Sequence, residues 1–210
     1  MKEICKKNLY YGGIFGPIIF LINDLIGSII THGFNPIRNA VSELTQRGSE
    51  NAILLSSLFL IAGVMLVVFA IGIIVHYKFA DSKLLFLGGI FIIFLGIFSA
   101  LSGTIFPMDP FDTDATFPGT MHIVLTGFNI VLIILAIPMI GIGLYREKKW
   151  KSFRLYSIVT VLIMATCGGL TSVLMMNDIE LLGLFERITI YAYQLWIAIL
   201  AVLLIKEQSK

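Results

Sequence analysis

Charge is what this chain has least of. Of its 210 residues only 13% are Asp, Glu, Lys or Arg, about half the share found in an average soluble domain. A soluble globule of this length needs a charged, water-facing shell, and a mean hydropathy of +0.95 leaves almost nothing to build one from. Cysteine is scarce too. Cys5 and Cys167 are the two present, one near the first apolar run and one well inside the fifth, so they read as free thiols and not as a disulfide framework. Six prolines and no charge tract exclude a collagen-like or disordered chain. Histidine is limited to His32, His76 and His122, which fall at opposite ends of the apolar runs, whereas a catalytic zinc usually takes three protein ligands. His-Glu-x-x-His, Gly-x-Ser-x-Gly and a Gly-rich phosphate loop are all missing. On these grounds no catalytic residue, metal or cofactor is expected.

What the chain has is apolar runs of the length needed to cross about 30 Å of hydrocarbon at 1.5 Å per residue. Six are found, at 9–30, 53–76, 84–106, 121–144, 155–176 and 188–205. None alternates as a membrane β-strand would. Backbone groups in lipid must pair within their own segment, so the runs predict helices. The fold class expected is all-α: one polytopic membrane domain over 1–210, a bundle of six transmembrane helices. Of the 15 Lys and Arg residues, all but Arg38, Arg47 and Arg187 fall on the side of the two chain ends. The positive-inside rule then places both termini in the cytoplasm of a multi-pass cell-membrane protein. The first run, though preceded by lysines, is long for a signal peptide and lacks a small-x-small cleavage site, so it is read as a retained helix.

Polar residues within the runs gather toward the extracytoplasmic side, while the inner halves of spans three, four and six are almost purely aliphatic, Phe and Gly. In span one, Gly13, Gly16, Pro17, Phe20, Asp24, Gly27 and Ser28 recur at helical spacing. His122, Thr126 and Asn129 share a stripe in span four, and Glu186, Ile190, Tyr193, Gln194 and Ile197 share one in span six. The pattern predicts a bundle sealed near the cytoplasm and opening outward into a polar vestibule. Single Ser and Thr residues have a plainer explanation, a bond back to their own helix carbonyls. Asp24 does not. It lies about 9 Å below the outer end of its helix, and an ionisable group there needs a partner, Arg38 or Arg187. A buried pair that only fixes helix packing is the structural alternative.

The outer loops supply the remaining candidates. Asn35-Pro36 signals a turn, and 42–46 reads as a short helical turn ended by Gly48. Asp109 is held between Pro107 and Pro110 at a helix end, whereas Asp112 and Asp114 read as solvated acids. The missing Gly and terminal Glu speak against an EF-hand in this loop. Glu186 and Arg187 are adjacent and point in different directions around their helix, so each needs its own partner.

Gly16-Pro17, Ser42-Glu43-Leu44, Phe106-Pro107-Met108-Asp109 with His122, and Gly183-Leu184-Phe185-Glu186-Arg187 with Trp196 beyond together resemble the bacterial and archaeal membrane proteins grouped as domain of unknown function 998. The resemblance spans nearly the whole chain. It implies a six-helix integral membrane protein and marks Ser42, Glu43, Asp109, His122, Glu186 and Arg187; it implies no activity. With Asp24, Arg38, Asn129 and Gln194 these form the candidate ligand-binding set.

Three functions fit the residues. The favoured one is a noncatalytic protein that binds or moves a small amphiphile or lipid at the outer leaflet. The second is an intramembrane hydrolase in which His122, with Asp109 or Glu43, holds a metal or acts as a general base. The third is an accessory subunit of a membrane complex. The bilayer itself is the expected partner. The basic stretch 146–154, with Arg146, Lys151 and Arg154 beside Trp150 and Phe153, is suited to anionic headgroups at about 1 kcal/mol per base. Being short and tied to two spans, it is a poor nucleic-acid site, and none is expected.

Overall fold

The computed structural model describes residues 3–78, 81–146, 150–176 and 180–208. Within them the chain is helical, without a strand: α1 (Glu3–Tyr10), α2 (Gly12–Ile30), a 3-10 turn at Val41–Thr45, α3 (Ala52–His76), α4 (Lys83–Thr104), α5 (Phe117–Arg146), α6 (Lys151–Met176) and α7 (Leu182–Glu207). Six segments are long and apolar enough to cross a membrane, the first running from Lys7 through Ile30. This is a multi-pass membrane protein. Most helices overrun the apolar runs that predict them; α5 begins four residues earlier, at Phe117, and α7 six residues earlier, at Leu182.

Each helix packs against its neighbours in sequence, and α2 meets α7 to close the ring. One end of the ring carries the start of α1 and the end of α7, and is called here the terminal end. The other carries the links α2–α3, α4–α5 and α6–α7, and is the loop end. Toward the terminal end the ring is filled by Tyr10, Phe69, Ile73, Leu85, Ile137, Ile140, Trp196 and Leu200, all essentially without solvent exposure. Trp196 stacks on Phe153 with ring centres 5.5 Å apart and donates its indole N–H to the Ser157 hydroxyl at 2.9 Å. Its one polar atom is thereby satisfied inside an apolar plug.

Glycines set how closely the helices approach. A methyl group on Gly13 would meet Phe69 at 2.7 Å and Ala201 at 2.8 Å, and one on Gly88 would meet Ile140 at 2.6 Å. Only a residue without a side chain allows those contacts. Along the α3–α4 seam glycines recur every seven residues, and the fit is close at the first two and loose at the third. A methyl on Gly89 would lie 2.8 Å from Ile74, on Gly96 2.8 Å from Val67, and on Gly103 3.8 Å from Phe59. The helices diverge toward the loop end, and the Val41–Thr45 turn enters the space: Val41 and Leu44 are buried with Leu55 against Phe20, Phe34, Phe59 and Ile190.

The polar groups do collect near the loop end, but Asp24 and Arg187 are sealed beneath this turn. Where the sequence suggests an open vestibule, the structure has a covered one. Most hydroxyls in the helices bond to their own carbonyls three or four residues back, as Ser57 does to Ile53, Thr104 to Ala100, Thr171 to Cys167 and Thr189 to Phe185. Cys167 is a half-buried free thiol; Cys5 and Asp178 fall outside the described side chains.

Candidate functional site

Seven of the ten candidate residues lie in two clusters beneath and beside the Val41–Thr45 turn. The first is built on the start of α7. Gly183 and Leu184 have first-turn N–H groups with no intrahelical acceptor, and they donate to the carbonyls of Arg38 at 3.2 Å and Ile37 at 3.0 Å. The segment 36–39 therefore wraps the helix end, and Gly183 allows it: any side chain there would run into the carbonyls of Pro36 and Asn39. The segment holds its shape through Asn35, whose side-chain oxygen accepts from the N–H of Ile37 at 2.9 Å, and through Asn39, which accepts from the N–H of Asn35 at 2.8 Å.

One turn deeper, Arg187 uses its whole fork. Nε and one terminal nitrogen donate to the two oxygens of Asp24 at 3.0 and 2.9 Å. The other terminal nitrogen reaches the carbonyls of Pro36 at 2.7 Å, Asn39 at 2.8 Å and Gly183 at 3.2 Å. Tyr191 also donates to Asp24. Asp24 is 1% exposed and Arg187 7%, so this bidentate pair is a buried one, with its donors and acceptors satisfied as such a pair requires. Of the two partners the sequence offers for Asp24, the structure selects Arg187. Arg38 turns to the rim and pairs with Glu180 at 2.6 Å, both side chains more than half exposed.

Glu186 and Arg187 do have separate partners. Glu186 accepts the Val41 N–H at 2.6 Å and lies within electrostatic reach of Arg187, Asp24 and Glu43. Glu43 accepts from the Ala40 N–H at 2.6 Å and the Asn39 amide at 2.8 Å, which fixes the start of the 3-10 turn as the acid of a capping box does. Gly48, at φ +87°, ends this loop's turn in the backbone region that favours glycine.

The second cluster lies across the turn. Ser42 donates to the Met108 sulfur at 3.2 Å, and the Arg47 N–H donates to the Met108 carbonyl at 2.9 Å. Asp109 accepts from the Thr116 N–H at 2.6 Å and hydroxyl at 2.9 Å, with the Arg47 guanidinium 3.3 Å away. The Thr116 N–H, followed by its hydroxyl and the Arg47 charge, holds the Asp109 carboxyl below the usual carboxylate value against the opposing effect of burial. Buried His122 sits within hydrogen-bond distance of two carbonyls through Nδ1, Ser102 and Phe106, each at 3.0 Å. Nδ1 is therefore the protonated nitrogen, and the ring ties down the end of α4. Among the described residues no hydrogen bond or ion pair joins Asp109 to His122, and no group of three His, Cys, Asp or Glu is placed to hold a metal.

Asn129 and Gln194 stand apart from both clusters. The Asn129 amide donates to the Ser99 hydroxyl at 3.3 Å and bridges α5 to α4, while Gln194 is half-buried on α7. Sequence reasoning missed Tyr191 and Thr116. Tyr191 stands four residues after Arg187, hence on its face, and Thr116 precedes Phe117-Pro118 as an N-cap precedes a helix with an early proline.

Beside the clusters the surface opens. A depression of about 230 Å³ is lined by Thr31, His32, Phe34, Asn39, Glu43, Gln46 and Glu50 among others. It shares Ser49 and Glu50 with a second, of about 530 Å³, that continues over Asn51, Ile53, Leu54 and Ser57 at the start of α3.

An all-helical bundle with six membrane-length helices and a buried ion pair under a loop defines a polytopic integral membrane protein. More particularly, the chain belongs to the family described as protein of unknown function, DUF998, whose profile matches residues 14–203. No curated protein and no solved structure matches it.

Proposed function

We propose that the protein is a noncatalytic component of the cell membrane that binds or moves a small amphiphile in the extracytoplasmic leaflet. The charge distribution supports the orientation: Lys7, Lys78, Lys83, Arg146, Lys151, Arg154 and Lys206 belong to the terminal end, which the positive-inside rule assigns to the cytoplasm. Arg154 stacks over Tyr145 with its guanidinium 3.9 Å from the ring centre, and Arg146 and Lys151 are exposed beside it. That surface suits anionic headgroups of the inner leaflet.

The observation that carries the reading is the union of the two depressions. A polar hollow lined by Glu43 adjoins, across the shared residues Ser49 and Glu50, a groove lined by Ile53 and Leu54, both strongly exposed on a membrane-length helix. Head and tail of an amphiphile need that sequence of surfaces. Asp24, Glu186 and Arg187 hold the wall of the hollow in place through segment 36–41, and on the other side Ser42 and Arg47 bind Met108 while Arg47 pairs with Asp109. The hydrolase alternative needs His122 paired with an acid, and both of its partners are carbonyls.

The experiment is a mass-spectrometric inventory of lipid retained through purification in mild detergent. An amphiphile should be held in near-stoichiometric amount, and Ser57→Trp, which fills the groove without touching either cluster, should release it. A preparation that keeps no lipid beyond a detergent-washed unrelated membrane protein would overturn the reading.

A further inference from the structure

Toward the terminal end α5 and α6 touch closely. A methyl group on Gly141 would meet the Ser157 hydroxyl at 2.8 Å, and Ile137, one turn away on the same side of α5, is without exposure. Toward the loop end the same faces come apart. Ile130, seven residues before Ile137, is 51% exposed, and nothing lies within 4 Å of a methyl built on Gly127, two heptads before Gly141 and on nearly the same face. On α6, Ala165 lies three turns beyond Arg154, whose backbone is 3.8 Å from the Gly141 position, and it is exposed; one turn further, Gly169 again has open space around it. The neighbouring seams stay shut at this height. Asn129 donates to Ser99 across α4 and α5, and a methyl on Gly168 would lie 3.6 Å from Thr189 across α6 and α7. Among the described residues, a cleft therefore enters the bundle between the outer halves of α5 and α6.

Two polar groups beside this cleft have hydrogen-bonding capacity unused. His122 is only 8% exposed. Its Nδ1–H is engaged by the carbonyls of Ser102 and Phe106, which leaves Nε2 as a bare lone pair. Among the described residues nothing donates to Nε2, yet it is not one of the sealed, unpaired atoms of the interior, so it reaches the surface. Thr126, one turn deeper on the side toward Ile130, is exposed. The hydroxyls of Ser57, Thr166 and Thr171 bond back to their own helix carbonyls, whereas that of Thr126 bonds to none of the described residues. Neither wall carries a charge: the sequence has no Asp, Glu, Lys or Arg at 117–145 or at 155–176. A phosphate or an ammonium would find no counter-charge there, so the cleft selects a neutral head.

We propose that the cleft holds a neutral lipid with a free hydroxyl, of the diacylglycerol class. The lipid hydroxyl donates to His122 Nε2, an ester carbonyl accepts from Thr126, and an acyl chain descends along Gly127, Ile130 and Ala165. One helical turn separates the two polar side chains, about 5–6 Å between Cβ atoms, which a glycerol backbone spans. The site is separate from the depressions at the start of α3 and shares with the amphiphile reading only the orientation in the membrane.

The test loads the full chain in mild detergent with dioleoylglycerol, with the methyl ether of its free hydroxyl, or with dioleoylphosphatidylcholine. After gel filtration the retained lipid is quantified by mass spectrometry. Dioleoylglycerol should be retained about three- to tenfold over the other two, the range one hydrogen bond supplies. His122→Asn keeps an N–H for the two carbonyls but has no Nε2, and it should bring the ratio of alcohol to ether toward one. Thr126→Val, which removes an exposed hydroxyl at constant volume, should lower retention of alcohol and ether alike by about threefold. Gly169→Leu, whose side chain grows into open space, should displace both. Equal retention of alcohol and ether, or an unchanged ratio in His122→Asn, overturns the hydroxyl contact, and equal retention of the phosphatidylcholine overturns the neutral class. Full retention in Gly169→Leu places the lipid outside the cleft and overturns the site. Ser57→Trp should leave dioleoylglycerol bound. Its release by that variant, or no retention at all, overturns this site and leaves the amphiphile reading to its own test.

Discussion

At the terminal end, Gly13, Gly88 and Gly89 bring helix backbones together around Trp196 and Phe69, and contact is made by shape. At the loop end, Arg187, paired with Asp24, and Glu186 and Glu43 are joined to the backbone of 36–41 by short hydrogen bonds, and contact is made by charge. The α3–α4 seam shows the change from one regime to the other between Gly96 and Gly103. In lipid there is no hydrophobic force between helices, so dispersion between close-packed backbones must hold the terminal end. At the loop end the helices have diverged, and a folded-in loop with a buried ion pair fills the gap. The first regime tolerates no added volume; the second tolerates no missing partner.

The largest effect should come from the second regime. Arg187→Met leaves Asp24 buried and uncompensated and also abandons the carbonyls of Pro36 and Asn39, a loss of about 3–5 kcal/mol. Thermal unfolding in detergent reads it. Arg187→Lys keeps the charge but cannot reproduce the fork, so it should fall between wild type and Arg187→Met. The double variant Asp24→Asn/Arg187→Met should recover part of the loss, because no unpaired charge is then buried. A wild-type melting temperature for Arg187→Met would dissolve the contrast between the two ends.

The terminal end should respond to volume. Gly13→Val forces side-chain atoms into Phe69 and Ala201 and should destabilise by about 1–3 kcal/mol. Gly103→Ala, with Phe59 at 3.8 Å, should change stability by less than about 0.5 kcal/mol. Equal effects at the two glycines would mean that the loop end is packed as closely as the terminal end.

The helices were legible because hydropathy over twenty residues is a collective signal that no single contact can mask, and the six runs match six helices. The need of Asp24 for a basic partner was legible as well, since a lone carboxylate in a span has few options. The choice of Arg187 over Arg38 was not. It depends on segment 36–39 wrapping the start of α7, which carries the Arg38 side chain to the rim beside Glu180. The covering of the vestibule was equally hidden. Backbone carbonyls such as those of Pro36 and Asn39 have no residue type, and the burial of Val41 and Leu44 reads in sequence as an ordinary apolar pair in a loop. Gly183 was visible in the motif, but its reason, the close passage of another backbone, exists only in three dimensions.

The smallest effect belongs to the rim, and it sharpens the comparison by its pH dependence. Thr116 and Arg47 depress the Asp109 carboxyl below the ordinary 3.8. A group whose pKa is lower folded than unfolded stabilises the folded state above the unfolded value, and that contribution is lost as pH falls through the folded one. The α4–α5 loop and the first turn of α5 should therefore be fully protected from hydrogen exchange at neutral pH and should lose protection at Thr116 as the pH drops below about 4. In Asp109→Asn the same loss should be present at every pH, since the amide offers one acceptor oxygen and no charge for Arg47. Arg187, buried with its partner, should keep segment 36–41 protected over the same range. Simultaneous release of the two loops on acidification would show that the rim and the buried pair act as one unit, and the division drawn between them would fail.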